Sequence, residues 1–467
     1  MKKIAVGIIG GGISGLAAGH FLRSRLGERL DLTIFEKDNR LGGTVGTTRK
    51  DGYLADWGPN GFLDREPLTL EFIREIGLSD KLYPSNKLSE KRFICRNNKL
   101  WEISANPIKF MKSGLLSPAG RARIAFEYFV PPKRSDGDES IFAFVSRRIG
   151  REAAETLIDP MVSGIYGGDA EALSLGACFP TMEQMEREYG GLIRAMIKKQ
   201  KENRRSRGKI GQAAKKGGPA GPSGHLTSFK GGLFTLVEHL ERLLAAHIRK
   251  GGEVRTLEKS DKRIVVRTAG GEGAFDHVII ATPSYCAANL LRPLSPQVTD
   301  NLAQIPYSNL AVVCQGYRIE DIGRPLDGFG FLVPRSQRLD ILGSIWTSVI
   351  FPEQAPEGYA LFRTMLGGAK NNRVIELGAE KLGELAHQNL ARIMSIKAKP
   401  SYREVIAWKD AIPQYTLGHR ERLARIQAEL DRIGGIHLAG NAYTGIGLND
   451  AIKRSHGIAH SIINSVS

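Results

Sequence analysis

Residues 4–9, IAVGII, form an apolar run with the texture of a fully buried strand. They lead straight into Gly10-Gly11-Gly12-Ile13-Ser14-Gly15, which matches G-x-G-x-x-G. Ile13, Leu16, Ala17 and Phe21 then recur about one helical turn apart, and a second strand over 31–35 ends on Glu36. In that order each part has a physical task. Gly10 permits a tight turn, Gly12 lets backbone approach a pyrophosphate, and Gly15 lets helix and strand pack closely. The helix N-terminus offers free N–H groups and the positive end of its dipole to phosphates. Glu36 can accept bonds from ribose hydroxyls, and an acid there disfavours a 2′-phosphate. NADP is therefore disfavoured, and NAD and FAD remain.

The chain has 467 residues, enough for about two to three domains. Hydrophobic residues make up 42% and charged residues 25%, which excludes disorder and coiled coil for the whole. A formal charge of +17 invites a nucleic-acid or membrane reading, but it is unevenly spread. Residues 198–216 hold nine basic residues and one acid, and GGPAGPSG follows at 217–224. This pattern predicts a solvated loop over 198–224. No interleaved aromatics or nucleic-acid motif accompany it, so no nucleic-acid partner is expected. Cys95, Cys178, Cys286 and Cys314 are far apart without a C-x-x-C pair, as in a reducing cytoplasm. His456 and His460 share a helical face, but no acid completes a metal pattern, and no metal is expected. The start, Lys2-Lys3 and a glycine-interrupted apolar run, is not expected to act as a signal peptide. No other segment approaches the ~20 apolar residues of a membrane span. The expected location is the cytoplasm, free or on the inner face of the cell membrane.

Residues 100–200 have helical texture. The 107–129 stretch carries Lys109, Lys112, Arg121 and Arg123 among apolar residues, a basic amphipathic pattern that could touch an anionic membrane. Stretches 140–149 and 153–161 also suit helices. After the basic run, EVRTLEKS, RIVVRT and DHVIIATP are short β-branched strands, and 305–368 continues in that style. The chain ends on a strand, a glycine-rich turn and a helix. The fold class expected is α/β: a Rossmann-like cofactor domain of discontinuous segments, a mixed-sheet substrate domain and a helical domain. The expected partition is 1–85, 225–285 and 410–467 for the cofactor domain, 86–224 helical and 286–409 for substrate.

After Glu36 come EKDNRLGG, with Lys37, Arg40, Gly42 and Gly43, and then DWGPNG at 56–61. Near the other end is GNAYTGIGLND, 440–450. These resemble the flavin-containing amine oxidase superfamily, and the resemblance implies FAD rather than NAD. It places Gly10, Gly11, Gly12, Ile13, Ser14, Gly15, Glu36, Lys37, Arg40, Gly42, Gly43, Gly58, Pro59, Asn60 and Gly61 around the cofactor. Gly440, Asn441, Ile446, Gly447 and Leu448 would close around the flavin ring, with a helix N-terminus beside the N1–C2 region. Many relatives attach flavin to a C-terminal cysteine; none follows Cys314, so FAD is expected to be non-covalent.

SGIYGGDAEALSL, FGFLVP and IPQYTLGH, together with the flavin motifs, are similar to the oxygen-dependent protoporphyrinogen oxidase family from residue 4 to about 463. The resemblance implies an adenine contact at Val254, an aromatic near the flavin at Trp408, and a porphyrin pocket of Leu332, Ile345 and Met365. It places Asn60, Gly164 and Ile165 near the reacting macrocycle. The implied reaction removes six hydrogens from protoporphyrinogen IX in haem synthesis, with oxygen as acceptor, three hydrogen peroxide molecules as by-product, and handover to a downstream enzyme. No catalytic base or nucleophile is implied. The family's propionate-pairing arginine does not align with an arginine in YPSNKLSEKRF, and Lys87 is taken as its replacement. The alternatives are a coproporphyrinogen oxidase, an amine oxidase of the same fold, a carotenoid desaturase-like enzyme, and a non-catalytic flavoprotein or membrane scaffold. The amine oxidases' common lysine near the flavin is missing from IPYSNLAVV.

Overall fold

Ile4–Ile9 is the middle strand of a parallel five-stranded sheet, with Leu30–Glu36 and Ile248–Lys250 on one side and His277–Ile280 and Ile436–Leu438 on the other. Helices cover both faces, as a parallel sheet requires. Ile4, Val6 and Ile8 face a core with Leu16 of the first helix, Leu240 and Ile452. Ala5 and Ile9 face the opposite core with Leu257, Leu291 and Ile426. This two-sided burial is why the strand is apolar at successive positions rather than at alternate ones. The five strands come from separate stretches of chain, so the expectation of a discontinuous cofactor domain is met. The structure, a computed structural model, describes residues 3–104, 106–135, 137–207 and 224–465, with side chains throughout except at 203–207.

The second sheet has seven strands, in the order Tyr402–Pro413, Tyr307–Arg318, Tyr359–Gly367, Ile341–Trp346, Gly330–Leu332, Phe93–Arg96 and Lys99–Glu102. All neighbours are antiparallel except Gly330–Leu332 and Phe93–Arg96. The 93–102 hairpin thus belongs to this sheet rather than to the helical texture around it. One face packs Phe93, Trp346, Phe362 and Leu366 under Leu390 of the Gly378–Met394 helix. The other face carries Leu310, Val312, Leu361 and Met365 toward the first domain, against Tyr53 and Ala55.

Between the two lie helices Ile141–Ile149, Asp159–Tyr166, Pro180–Tyr189 and Leu192–Arg207. Arg148, fully buried, ties the first of these to the third through Glu186 and to the start of the fourth through Glu127. Two sequence expectations change here. The basic run begins as helix, since Leu192–Arg207 covers 198–207, and the rest of the expected loop, 208–223, lies outside the described residues. Lys, Arg, Gln and Glu are good helix formers, and Arg194 donates to Tyr128 O at the start of that helix. The 107–129 stretch is two short helices, Pro107–Lys112 and Pro118–Ala125, and a 3₁₀ turn, Phe126–Phe129. Pro118 cannot continue a helix but suits a first turn, where Ser117 caps it. No described helix is long and apolar enough to cross a membrane.

Candidate active site

The ends of the parallel strands gather the glycine motifs. Gly10 turns at φ +108°, and a Cβ on Gly15 would overlap Gly10 O, so the first helix can approach the strand only as glycine. Gly42 N–H donates to Gly11 O at 2.9 Å, which brings the second glycine pair beside the first. A Cβ on Gly12 would meet nothing within 4 Å, and one on Gly43 only Gly12 Cα, at 3.6 Å. The Ile13–Leu26 helix has no side-chain cap at Gly12, so its first N–H groups are left for a ligand. Thr282, against Gly10, has a buried Oγ1 without a partner, and a Cβ on Gly440 would meet only Thr282 O, at 3.9 Å. Open space over two glycines, an uncapped helix and an orphaned hydroxyl fit a pyrophosphate-bearing cofactor.

Around this cradle the remaining motif residues are set by local bonds. Glu36 is buried and accepts from Gly11 N–H at 2.8 Å and Asp38 N–H at 3.0 Å. Lys37 beyond it is exposed, and Gly252 N–H donates to Glu36 O, which brings the strand beginning at Val254 to the same edge. Arg40 lies over the Trp57 ring and donates to the carbonyls of Leu41, Gly43 and Val45, so it shapes the second glycine loop. Pro59, Asn60 and Gly61 are half-buried, and Asn60 Nδ2 is orphaned. Ser14 O accepts from Ser455, which docks the Leu448–Ser465 helix onto the first helix. Gly447 N–H donates to Asp450 Oδ2 at 3.1 Å at that helix's start, Asn441 O accepts from Tyr415, and Ile446 packs on the helical core.

Sheet register brings the residues expected to meet substrate together. Leu332 pairs with Gly343, Gly343 with Met365, and Ile345 with Arg363. Paired residues share a face, so Leu332, Ile345, Arg363 and Met365 lie side by side. Leu310 and Trp408 pair on the same face, and Trp408 Nε1 donates to Trp57 O at 3.1 Å. Gly164 closes the face from the helical side: a Cβ there would lie 2.5 Å from Leu332 Cδ2. Ile165 is exposed, as is Lys87. Further along the 159–166 helix, Tyr166 O accepts from Gln414 Nε2 at 2.9 Å, and Ser174 N–H donates to Tyr415 O. SGIYGGD and IPQYTLGH are thus one packed unit.

Three functional-looking features were missed in the sequence. Arg363 is buried on the sheet face that carries Leu332, Ile345 and Met365, and donates to Gly58 O. Its signal was a lone charge inside the apolar run YALFRTMLG. Burial lowers the tendency of its guanidinium to hold a proton and raises the nearby Asp56 carboxyl, which is opposed by bonds from Thr47 Oγ1, Leu233 N–H and Gln354. A cavity of about 810 Å³, lined by His419, Tyr443 and Arg454 among others, shares no residue with the predicted site. His419 stacks on Tyr415, and burial pushes its ring down to about 4.

Residues 13–463 match the flavin containing amine oxidoreductase family. A coproporphyrinogen III oxidase of Bacillus subtilis is 30% identical, covering 97% of this chain and 96% of that one. A chloroplastic protoporphyrinogen oxidase of Nicotiana tabacum is 31% identical over 98% of this chain and 85% of its own. A crystal structure from Exiguobacterium sp. 255-15, named provisionally as a protoporphyrinogen oxidase, superposes with a TM-score of 0.84 at 27% identity, covering 100% of both chains. The chain belongs to the flavin containing amine oxidoreductase family, with FAD as its cofactor, and is similar to that family's porphyrinogen oxidases.

Proposed function

We propose that this protein is an oxidase that converts protoporphyrinogen IX to protoporphyrin IX in haem synthesis, with oxygen reduced to hydrogen peroxide. The observation that carries the reading is the single sheet face on which Leu332, Ile345 and Met365 meet beside the Gly58–Asn60 turn. An apolar face of this kind suits a flat macrocycle, orienting it by dispersion and excluding water. When bound, the flavin supplies the two-electron acceptor, and six hydrogens require three such turns. The chain's own part is positioning: Gly164 admits Leu332 to the face, Trp408 and Arg363 hold the turn that bears Asn60, and no side chain is needed as a base.

The face carries one cation, Arg363, among Leu332, Ile345 and Met365, which favours protoporphyrinogen, with two propionates, over coproporphyrinogen, with four, because each extra buried carboxylate needs a cation of its own. Coproporphyrinogen is the second reading, favoured by Arg335 and Lys370 around the helix that carries Gly164. Those two cations are already engaged by Asp159, Asp169 and Glu171. The test is kcat/KM for both porphyrinogens side by side. We expect protoporphyrinogen to be preferred; a preference for coproporphyrinogen would reverse the assignment and leave fold and cofactor standing.

The same reading keeps the three-part partition, with the 93–102 hairpin and the whole of Tyr402–Pro413 counted in the substrate part. It places the protein in the cytoplasm, resting on the anionic inner face of the cell membrane through Ile108, Phe126 and Phe129, which are 68%, 61% and 70% exposed beside Lys109 and Lys112. That location suits handover of an insoluble product to the next enzyme.

A further inference from the structure

Arg363 is 5% exposed and has no carboxylate within ion-pair distance among the described residues. The groups that face it are Asp56, whose two oxygens already accept from Thr47, Leu233 and Gln354, and the Cys314 thiol across the sheet. Its one hydrogen bond runs to Gly58 O, and its Nε is buried without a partner. Two residues beyond Gly58, Asn60 Nδ2 is a second buried donor without a partner. An unpaired buried cation is among the costliest things a fold can contain, and an unused buried N–H adds to the cost. Arg363 bonds this turn and Asn60 is part of it, so two donors without partners belong to one turn, and a bound group that brings an acceptor would satisfy them.

The macrocycle itself is a poor source of that acceptor, since the interior of a porphyrinogen presents four pyrrole N–H donors. What remains is an electron-rich oxygen or nitrogen, on the flavin ring or on a substrate propionate. Gly58 and Asn60 belong to the turn that follows the second glycine pair on the cofactor side, whereas Ile345 and Met365, beside Arg363, form the apolar face. We propose that Arg363 is a positioning residue for the flavin: it anchors the 57–60 turn to the substrate sheet and holds an otherwise unpaired positive charge against an acceptor of the flavin ring. Its consequence is electrostatic, because a fixed cation favours the ring when it carries extra negative charge. This rests on the porphyrinogen reading only for the turnover measurement, and the flavin readouts are independent of it.

The test uses FAD-loaded Arg363→Lys, Arg363→Gln and Arg363→Met. For each, the flavin midpoint potential, the affinity of the oxidised flavin for sulfite (whose binding leaves negative charge on the ring), and kcat and KM for protoporphyrinogen are measured. We expect Arg363→Met and Arg363→Gln to have a more negative potential, sulfite binding at least tenfold weaker, and kcat reduced at least tenfold with KM within about twofold. Arg363→Lys should recover part of each, and its retained charge keeps the test open if the neutral variants do not fold. Wild-type potential and sulfite affinity in all folded variants would overturn the proposal, whatever their melting temperatures. An unchanged potential with a raised KM would also overturn it, and would assign Arg363 to a propionate instead.

Discussion

Glu36 has two duties in one carboxylate. It fixes the first glycine turn through Gly11 N–H and the end of its own strand through Asp38 N–H, and the proposed second duty is to accept from a ribose. Glu36→Ala should weaken FAD by about 1.5–3 kcal/mol, the scale of hydrogen bonds to a charged group, or roughly tenfold to a hundredfold in affinity. Titration of the apoprotein with FAD reads this directly, and unchanged affinity would remove Glu36 from the cofactor site. His419 tests a different property. Its ring is held neutral by burial down to about 4, against an ordinary value of 6.5. Between those values the unfolded chain takes up a proton that the folded chain refuses, so stability is full above pH 6.5 and falls as pH drops. His437, also held down to about 4, acts in the same direction. His419→Phe keeps the stack on Tyr415 and removes one titration, so its loss of stability from pH 7 to pH 5 should be smaller by about 2 kcal/mol. Urea unfolding at the two pH values measures it; equal losses in both proteins would refute the assignment. At this scale glycines and the terminal acid were legible in the sequence because each has a local reason to be there. Arg363 and His419 were not, because what makes them unusual is their burial, and burial is a property of the packed structure.

The helices and strands with strong local signals appear where their patterns put them: Ile4–Ile9, Ile13–Leu26, Leu30–Glu36, Ile141–Ile149 and the strands after 253. Where the pattern was weaker, tertiary context decided. The Phe93–Arg96 strand joins the large sheet through its pairing with Gly330–Leu332, more than two hundred residues away, a contact that local sequence does not announce. In 107–129 a proline breaks what the charge pattern alone would continue, and the result is a compact turn of chain that leaves Ile108, Phe126 and Phe129 in the open. These three exposed apolar side chains beside lysines should bind anionic vesicles. Phe126→Glu with Phe129→Glu should reduce that binding about tenfold or more, since burying each aromatic is worth about 1.5–3 kcal/mol, and FAD content should be unchanged. Vesicle binding of the parent should also weaken with added salt, as the lysine contribution is screened. Equal partition of variant and parent in vesicle sedimentation would show that this face does not meet the membrane.

Taken as a whole molecule, the cofactor domain is assembled from strands at residues 4, 30, 248, 277 and 436, and the seven-stranded sheet from strands between 93 and 413. Both are threaded through one another, which is why the two flavin motifs at opposite ends of the chain converge at Gly10, Thr282 and Gly440. The face proposed for the porphyrinogen is tied to the Trp57–Asn60 turn by Trp408 and Arg363. The central claim is that this arrangement passes electrons from a porphyrinogen to bound flavin and then to oxygen. It is tested by mixing the FAD-loaded protein anaerobically with protoporphyrinogen, following flavin absorbance, and then admitting oxygen while counting products. The flavin should bleach on mixing and recover with oxygen, and steady turnover should yield three hydrogen peroxide molecules for each porphyrin formed. A flavin that stays oxidised with both protoporphyrinogen and coproporphyrinogen, yet bleaches with amines, would contradict the account.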